Sequence, residues 1–349
     1  MSQFIQLHLL TSYPPSNLNR DDLGRPKTAM MGGALRLRVS SQSLKRAWRT
    51  SSVFQQALSD HIGTRTKRMG LTVYEGLRNK GVSDSNATKW AQVIAGVFGA
   101  IDKGENKKAV EIQQLAHFSP EEQTNIDGLI ATLAARGTEP TDEELKLLRK
   151  CHSAVDIALF GRMLADASHY NMEAAAQVAH AISVHRVAVE DDFFTAVDDL
   201  NAGKDDMGAG HMGETEFAAG LFYLYVCINR TLLEENLSGD ANLTDRGLAA
   251  LVEASATVSP TGKQNSFGSR AYASYILCER GDFQPRSLSV AFLKPTGSEN
   301  MMNDAITSLR QCRENMNKVY GIDGTASYEL DATSGEGSLG ALIDFAKRG

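Results

Sequence analysis

The sequence predicts an α+β fold, with helices packed against one small sheet and a large helical insertion interrupting that sheet. Three observations predict it. Short alternating or continuously apolar runs lie near both ends of the chain, at residues 4–10, 34–40, 221–228, 273–278 and 287–293. Between the second and third of these, from about residue 53 to 183, apolar residues recur almost throughout with the helical period. The remaining order of strands and helices fits a layer of helices on a sheet. At 349 residues the chain can bury a large core, and an apolar fraction of 42% excludes global disorder. No uninterrupted apolar run is long enough to cross a bilayer, so no membrane partner is expected. The start, Met1-Ser2-Gln3-Phe4-Ile5, lacks a basic n-region and does not resemble a secretory signal. Cysteines at 151, 227, 278 and 312 show no CxxC spacing and suggest reduced thiols in a cytoplasmic protein.

In chain order, residues 4–10 form a strand with Ile5, Leu7 and Leu9 on one side and Gln6 and His8 on the other, broken by Pro14-Pro15. A lone strand histidine is more often structural than a ligand, so His8 is expected to be structural. A loop carrying Arg20, Arg25 and Lys27 leads through Gly32-Gly33 into a second alternating strand. There Leu35, Leu37 and Val39 are expected to face a core, and Arg36, Arg38 and Ser40 to face outward. Ser40 or Ser41 can cap a helix beginning near Gln42. On that helix Gln42, Lys45, Arg46 and Arg49 share one stripe, and Leu44, Ala47 and Trp48 the opposite, buried one.

Inside the insertion, Trp90, Val93, Ile94, Val97, Phe98 and Ile101 follow a 3.6-residue period after an Asn86 cap. Ser119-Pro120-Glu121-Glu122 is a capping box with proline at the first helical position, and Thr141-Asp142-Glu143-Glu144 repeats the device. The whole insertion is expected to be helical, including residues 174–182. Residues 187–216 turn acidic and glycine-rich, as in an exposed flap or hairpin. The run 221–228 is too continuous for a strand with a wet face and is expected at the centre of the sheet. A helix over about 245–256, a loop over 262–270, strands at 273–278 and 287–293, and helices over 299–320 and 340–347 complete the chain.

Charge concentrates in one place. Residues 20–49 hold eight basic and two acidic side chains, +6 in a chain whose formal net charge is −6. Such a segment attracts polyanions, and the basic strand face running into a basic helix stripe suits phosphate. Signals for chemistry are weak by comparison. Gly208-Ala209-Gly210-His211-Met212-Gly213 matches GxGxxG, but Lys204-Asp205-Asp206-Met207 before it is no strand, so no dinucleotide cofactor is expected. Lys263 lacks the following serine or threonine of a phosphate-binding loop. The eight histidines are scattered, His180 and His185 lie five apart, and no HExxH occurs, so no metal site is expected. Asp21-Asp22 and Asp191-Asp192 are paired carboxylates in loops, where solvation or pairing to arginine is the ordinary state. No nucleophile has an activating context, so no catalytic residue is assigned.

Four segments in order carry a resemblance: Leu18-Asn19-Arg20-Asp21-Asp22, Arg38-Val39-Ser40-Ser41-Gln42-Ser43-Leu44-Lys45-Arg46-Ala47, Val155-Asp156-Ile157-Ala158-Leu159-Phe160-Gly161-Arg162-Met163, and Phe194-Thr195-Ala196-Val197-Asp198-Asp199-Leu200. Together they resemble the backbone subunit of type I-E CRISPR surveillance complexes, the CasC (Cse4) family of Cascade. The resemblance implies an RRM-like (ferredoxin-like) palm, here residues 1–52 and 217–349, helical fingers at 53–184 and a protruding thumb at 185–216. It implies that copies polymerise on the spacer of a CRISPR RNA, each thumb reaching a neighbour, and that the guide pairs with target DNA. Other Cascade subunits and a recruited helicase-nuclease are the further partners it implies. Carried onto this chain, Arg20, Lys27, Arg38, Ser40, Gln42, Lys45, Arg46 and Arg49 contact guide phosphates and sugars, and Met163 is an apolar wedge or, alternatively, an ordinary helical core methionine. The rivals are a metal-dependent RNA nuclease of a related effector, using Asp21 or Asp22, and a stand-alone RNA-binding regulator.

Overall fold

The computed structural model describes residues 3–102, 104, 109–149, 153–196, 211–297 and 299–348. Its centre is the antiparallel pairing of β1 (Phe4–Ser16) with β9 (His211–Asn229) on one side and β10 (Ala273–Gly281) on the other. The sheet continues outward from β10 to β11 (Ala326–Asp331), and from β9 through β7 (Ala181–Ser183) and β3 (Ala34–Val39) to β2 (Thr28–Met31). β6 (Ala176–Val178) and β8 (Glu190–Ala196) also pair with β9, at its far ends. The apolar run at 221–228 thus lies in the central strand, as its lack of a polar face requires. Pro14-Pro15 does not end β1; the pairing with β9 shifts register between Tyr13 and Ser16, because proline cannot donate to the ladder.

Both faces of the sheet are covered. On one, Ile5, Leu7 and Leu9 meet α1 (Ser41–Arg49), α2 (Ser52–Leu58), α6 (Val155–Phe160), α7 (Arg230–Asn236), α8 (Ala241–Thr257) and α11 (Leu339–Lys347) in one continuous core. On the other, Leu10, Tyr223 and Tyr275 pack under α10 (Met301–Tyr320) and a 3₁₀ turn, Ser289–Phe292. That turn replaces the strand expected at 287–293. Its carbonyls at Phe292 and Leu293 accept hydrogen bonds from the Arg36 guanidinium, at 2.8 and 3.3 Å, and Ser183 O accepts a third at 3.0 Å. Arg36 therefore points to the face the alternation predicted, but that face is dry and Arg36 is wholly buried, while Leu35 is partly exposed. The covering segment approaches so closely that a Cβ at Gly32 would lie 1.7 Å from Leu293 O.

The insertion has its own core, built by α3 (Met69–Asn79), α4 (Asp84–Gly96) and α5 (Pro120–Arg136) around Trp90, Ile94, Phe118 and Leu133. It is not all helical: β4 (Thr64–Thr66) and β5 (Ala116–Phe118) form a two-stranded ribbon. Ser83, not Asn86, caps α4, and Val93 faces partly outward. The Ser119/Glu122 capping box forms with Pro120 inside it, whereas Thr141 and Glu144 close the same reciprocal bonds around a mere turn. In place of the helix expected over residues 174–182 stand the strands β6 and β7; the unpaired edge of β9 recruits them against the alanine preference for helix, a tertiary override of propensity. The acidic stretch does form a hairpin, β8 on β9, with residues 197–210 outside the described chain. His211 to Gly213 lie in β9, so strand and not helix follows the GxGxxG string, which removes the dinucleotide reading. α9 (Gln264–Phe267) is one short turn in the 262–270 loop.

His8 is structural. Its Nδ1 lies 2.9 Å from Tyr223 Oη and its Nε2 3.3 Å from Glu279 Oε2, all buried. Glu279 Oε1 accepts from Arg313 Nε at 2.8 Å and Arg286 Nη2 at 3.1 Å. An ionised Glu279 only accepts, and Tyr223 Oη already accepts from Leu288 N, so the network assigns the proton to His8 Nε2. Burial would raise the Glu279 carboxyl, but His8, Arg313 and Arg286 bring it down to about 2. Burial pushes His8 below its ordinary value, against the pull of Glu279 and with the push of both arginines. An unfolded chain then binds the extra proton first. Stability supplied by neutral His8 is complete above pH 6.5 and declines as pH falls below it, by up to about 1.4 kcal/mol per pH unit. Denaturant titrations between pH 7.5 and 5 should show that decline in the native chain and a shallower one in His8→Gln; equal slopes would remove His8 as its source.

Candidate nucleic-acid interface

Ser40 begins α1: its hydroxyl accepts from Ser43 N, and its own N–H donates to Asn19 Oδ1 at 2.9 Å, tying the helix start to the basic loop. Leu44 and Trp48 are buried in the sheet core and Ala47 is buried on the same side, which fixes the rotation of α1 and turns Gln42, Lys45, Arg46 and Arg49 outward. No acidic residue occupies its first turn, and Arg46 and Arg49 sit in its last, where the helix dipole favours cations.

The stripe forms one wall of a cleft of about 780 Å³. The ribbon provides the second wall through Arg65 and His117, directly opposite each other in register, with Lys67, Gln113, Gln114 and Leu115. Residues 160–163 provide the third. Gly161, at φ 79°, ends α6 and lets the chain pass close to Ala174, where an added Cβ would be tightly placed. Arg162 then pairs its backbone with Met172, so consecutive side chains point oppositely. Arg162 turns inward onto Glu122, at 2.8 Å, and Met163 turns outward, 77% exposed. Met163 is therefore no core methionine.

Among the described residues, six lysines and arginines line the cleft and no carboxylate does. Two of the six have internal partners: Arg162 on buried Glu122, and Arg49, 3.7 Å from buried Asp156. Among the described residues, Lys45, Arg46, Arg65 and Lys67 have no carboxylate within 4.0 Å. Partial burial, and then the charge of Arg65 across the cleft, hold the Lys45 ammonium below its ordinary range. Cations held near one another without counter-charge are the electrostatics of an anion site, and the elongated, multi-cation arrangement suits a chain of phosphates.

Of the residues picked from sequence, Gln42, Lys45, Arg46, Arg49 and Met163 meet in this cleft. Lys27 and Arg38 line a separate small hollow with Leu18 and Asn19, beyond the N-terminus of α1. There Arg38 Nη1 donates to His180 Nδ1 at 3.0 Å; burial and the charges of Arg38 and Lys27 hold His180 below its ordinary value, leaving Nδ1 free to accept. Arg20 is exposed on the loop, outside both hollows. The hydroxyl of Ser40 is engaged as the helix cap. Sequence reasoning missed Arg65, Lys67, Gln113, Gln114 and His117. The alternation Thr64-Arg65-Thr66-Lys67 was the available signal of a second basic strand face. The distant 262–264 loop braces this region: a Cβ at Gly262 would lie 2.2 Å from Leu18 O, and Lys263 Nζ donates to Thr215 Oγ1 at the hairpin base.

The CT1975-like protein family model matches residues 5–341. The chain belongs to that family. Among solved structures, a chain of a "CRISPR RNA-guided surveillance complex, pre-nicking" superposes with a TM-score of 0.84 at 30% identity, covering 99% of both chains. A chain of a second CRISPR RNA-guided surveillance complex superposes with a TM-score of 0.76 at 25% identity, again over 99% of both. No curated protein matches. The resemblance to a surveillance-complex subunit, read from four sequence segments, thus agrees with family membership and with full-length structural likeness. Among the described residues of this CT1975-like chain, no helix is long and apolar enough to cross a membrane.

Proposed function

We propose that the chain is a non-catalytic, CRISPR RNA-binding backbone subunit of the CasC type, one of several copies that coat a guide spacer and hold it for pairing with target DNA. The observation that carries this is the cleft: among the described residues it is lined by six cations, an exposed methionine and no carboxylate, in a chain shaped along its whole length like subunits of RNA-guided surveillance complexes. A guide must accept any spacer sequence, so its carrier should hold phosphates and leave base edges free. The cleft meets that need: its polar side chains are cations, amides and the His117 ring, and its apolar members Leu115, Phe160 and Met163 carry no hydrogen-bonding code. In this reading the nine-stranded sheet is the RRM-like palm, the insertion with its own core the fingers, and the β8–β9 hairpin the thumb, acting in the cytoplasm beside other Cascade subunits and a recruited helicase-nuclease.

The rival nuclease would use Asp21 or Asp22. Asp21 Oδ1 accepts from Leu23 N and Arg25 N, both at 2.9 Å, and Oδ2 is 3.3 Å from Arg25 Nε. Those backbone bonds first, and Arg25 with them, hold its carboxyl below the usual range, as in an ordinary loop-closing aspartate. Native mass spectrometry of the chain reconstituted on RNAs of increasing length tests the proposal. The number of bound copies should rise with length, and complementary RNA should stay intact with magnesium or manganese present. One copy at every length would favour a stand-alone regulator. Cleavage abolished by Asp21→Ala or Asp22→Ala would favour the nuclease.

A further inference from the structure

We propose that Asp156 is a positioning residue for the nucleic-acid cleft, holding Arg49 in the orientation that meets a phosphate. This rests on the cleft being the RNA site. Asp156 stands in the first turn of α6 and is wholly buried. Its Oδ1 accepts from Gly63 N at 2.8 Å, at the entry to β4, and from Ile157 N at 3.0 Å. Its Oδ2 lies 2.9 Å from His117 Nε2 on β5 and 3.7 Å from Arg49 Nη1 at the end of α1. One carboxylate therefore gathers all three walls of the cleft. The gathering is tight: a Cβ at Gly63 would come within 2.7 Å of Phe118 O and 3.0 Å of the His117 ring, so only glycine lets β4 begin there.

Burying a carboxylate is costly unless it is fully partnered, and an apolar residue would join these elements with less penalty. The carboxylate does what an apolar residue cannot. It faces the guanidinium of a side chain that is 18% exposed at the cleft rim. At 3.7 Å the contact is a loose ion pair and leaves Arg49 most of its five donors. A planar fork anchored on its inner edge presents its outer edge in a fixed direction, which a flexible lysine could not do. Asp156 also joins the two cores, since its neighbours Val155 and Ile157 belong to the sheet core and Phe118, beside His117, to that of the insertion. A purely structural role is thus the competing explanation.

A double-mutant cycle separates the two. Kd for a single-stranded RNA of mixed sequence is measured by fluorescence anisotropy for the native chain, Asp156→Asn, Arg49→Ala and the double variant, with a thermal unfolding curve for each. Asp156→Asn keeps the shape and the acceptor for Gly63 N. It should weaken binding about tenfold, the size of one charge-assisted hydrogen bond, and add little once Arg49 is gone. Equal losses with and without Arg49 would make the role structural and overturn the proposal. Unchanged or tighter binding in Asp156→Asn would overturn it too. Arg49→Lys, which keeps the charge and the aliphatic stem of a side chain at the cleft rim, should bind as poorly as Arg49→Ala; native affinity there would show that orientation is irrelevant. Lys45→Ala and Lys67→Ala report on the cleft separately. If they weaken binding while the Asp156 and Arg49 variants do not, the RNA site stands and this inference falls.

Discussion

Replacing Lys45, Arg46, Arg65 and Lys67 together with alanine should flatten the salt dependence of RNA binding by about 2.8 in log–log slope, at about 0.7 per single-strand phosphate contact. These are the cleft cations with no carboxylate partner among the described residues, so their charge is fully available to phosphate. Between 50 and 200 mM salt the native chain should then lose about fiftyfold more affinity than the variant. Anisotropy titrations at four or five salt concentrations measure both quantities. All four side chains line the cleft and none is fully buried, so the variant should fold normally. Relief of the Lys45–Arg65 repulsion works in the same direction for stability. An unchanged slope in a folded variant would place the RNA elsewhere.

The cleft was half legible in the sequence. Its α1 wall follows local rules: a serine cap, a basic stripe and an apolar side anchored by Trp48 are all set within ten residues. Met163 was legible only through the resemblance. What exposes it is Gly161 ending α6 and Arg162 turning to Glu122, forty positions away. The ribbon wall was missed because β4 and β5 are three residues each and pair across fifty positions, where no periodicity accumulates. Asp156 is in sequence a lone polar residue within the apolar run Val155–Phe160, and its four partners come from segments as far apart as residues 49 and 157.

The fold divides along the same line. β9 declared itself because a strand without a polar face has to be central. Arg36 shows the limit of alternation: the pattern assigns a face to each residue but not what covers that face, and Ser289–Phe292 covers this one from 250 positions downstream. β6 and β7 show the other limit, since alanine-rich residues 174–182 favour helix locally and are drawn into strands by the open edge of β9.

Replacing Phe193 with serine should weaken cooperative assembly on long RNA about thirtyfold per neighbour contact, with monomer folding unchanged. The β8–β9 hairpin leaves the sheet with Glu190, Asp191 and Asp192 exposed, and Phe193 is 66% exposed beside them. Phe194 lies over Gly213, where any Cβ would overlap its ring, so it serves the hairpin itself. Among the described residues Phe193 has no such internal role. In the proposed filament Phe193, together with the exposed Val189 that precedes the hairpin, is the apolar surface offered to a neighbouring copy. Full burial of a phenylalanine is worth about 2 kcal/mol, which corresponds to roughly that thirtyfold. The acidic residues argue which partner. Phosphate would repel them, so in the proposed filament the hairpin is not the main RNA-binding element, whereas the basic region around α1 on a second copy would attract them. Asp198 and Asp199, of the same acidic stretch, lie outside the described residues. Single-copy affinity on a short RNA should therefore be preserved in Phe193→Ser while the step between one bound copy and a filled lattice broadens. Native gels over an RNA length series read both. Sharp, all-or-none filling of long RNA by the variant would show that neighbouring copies do not meet through this hairpin.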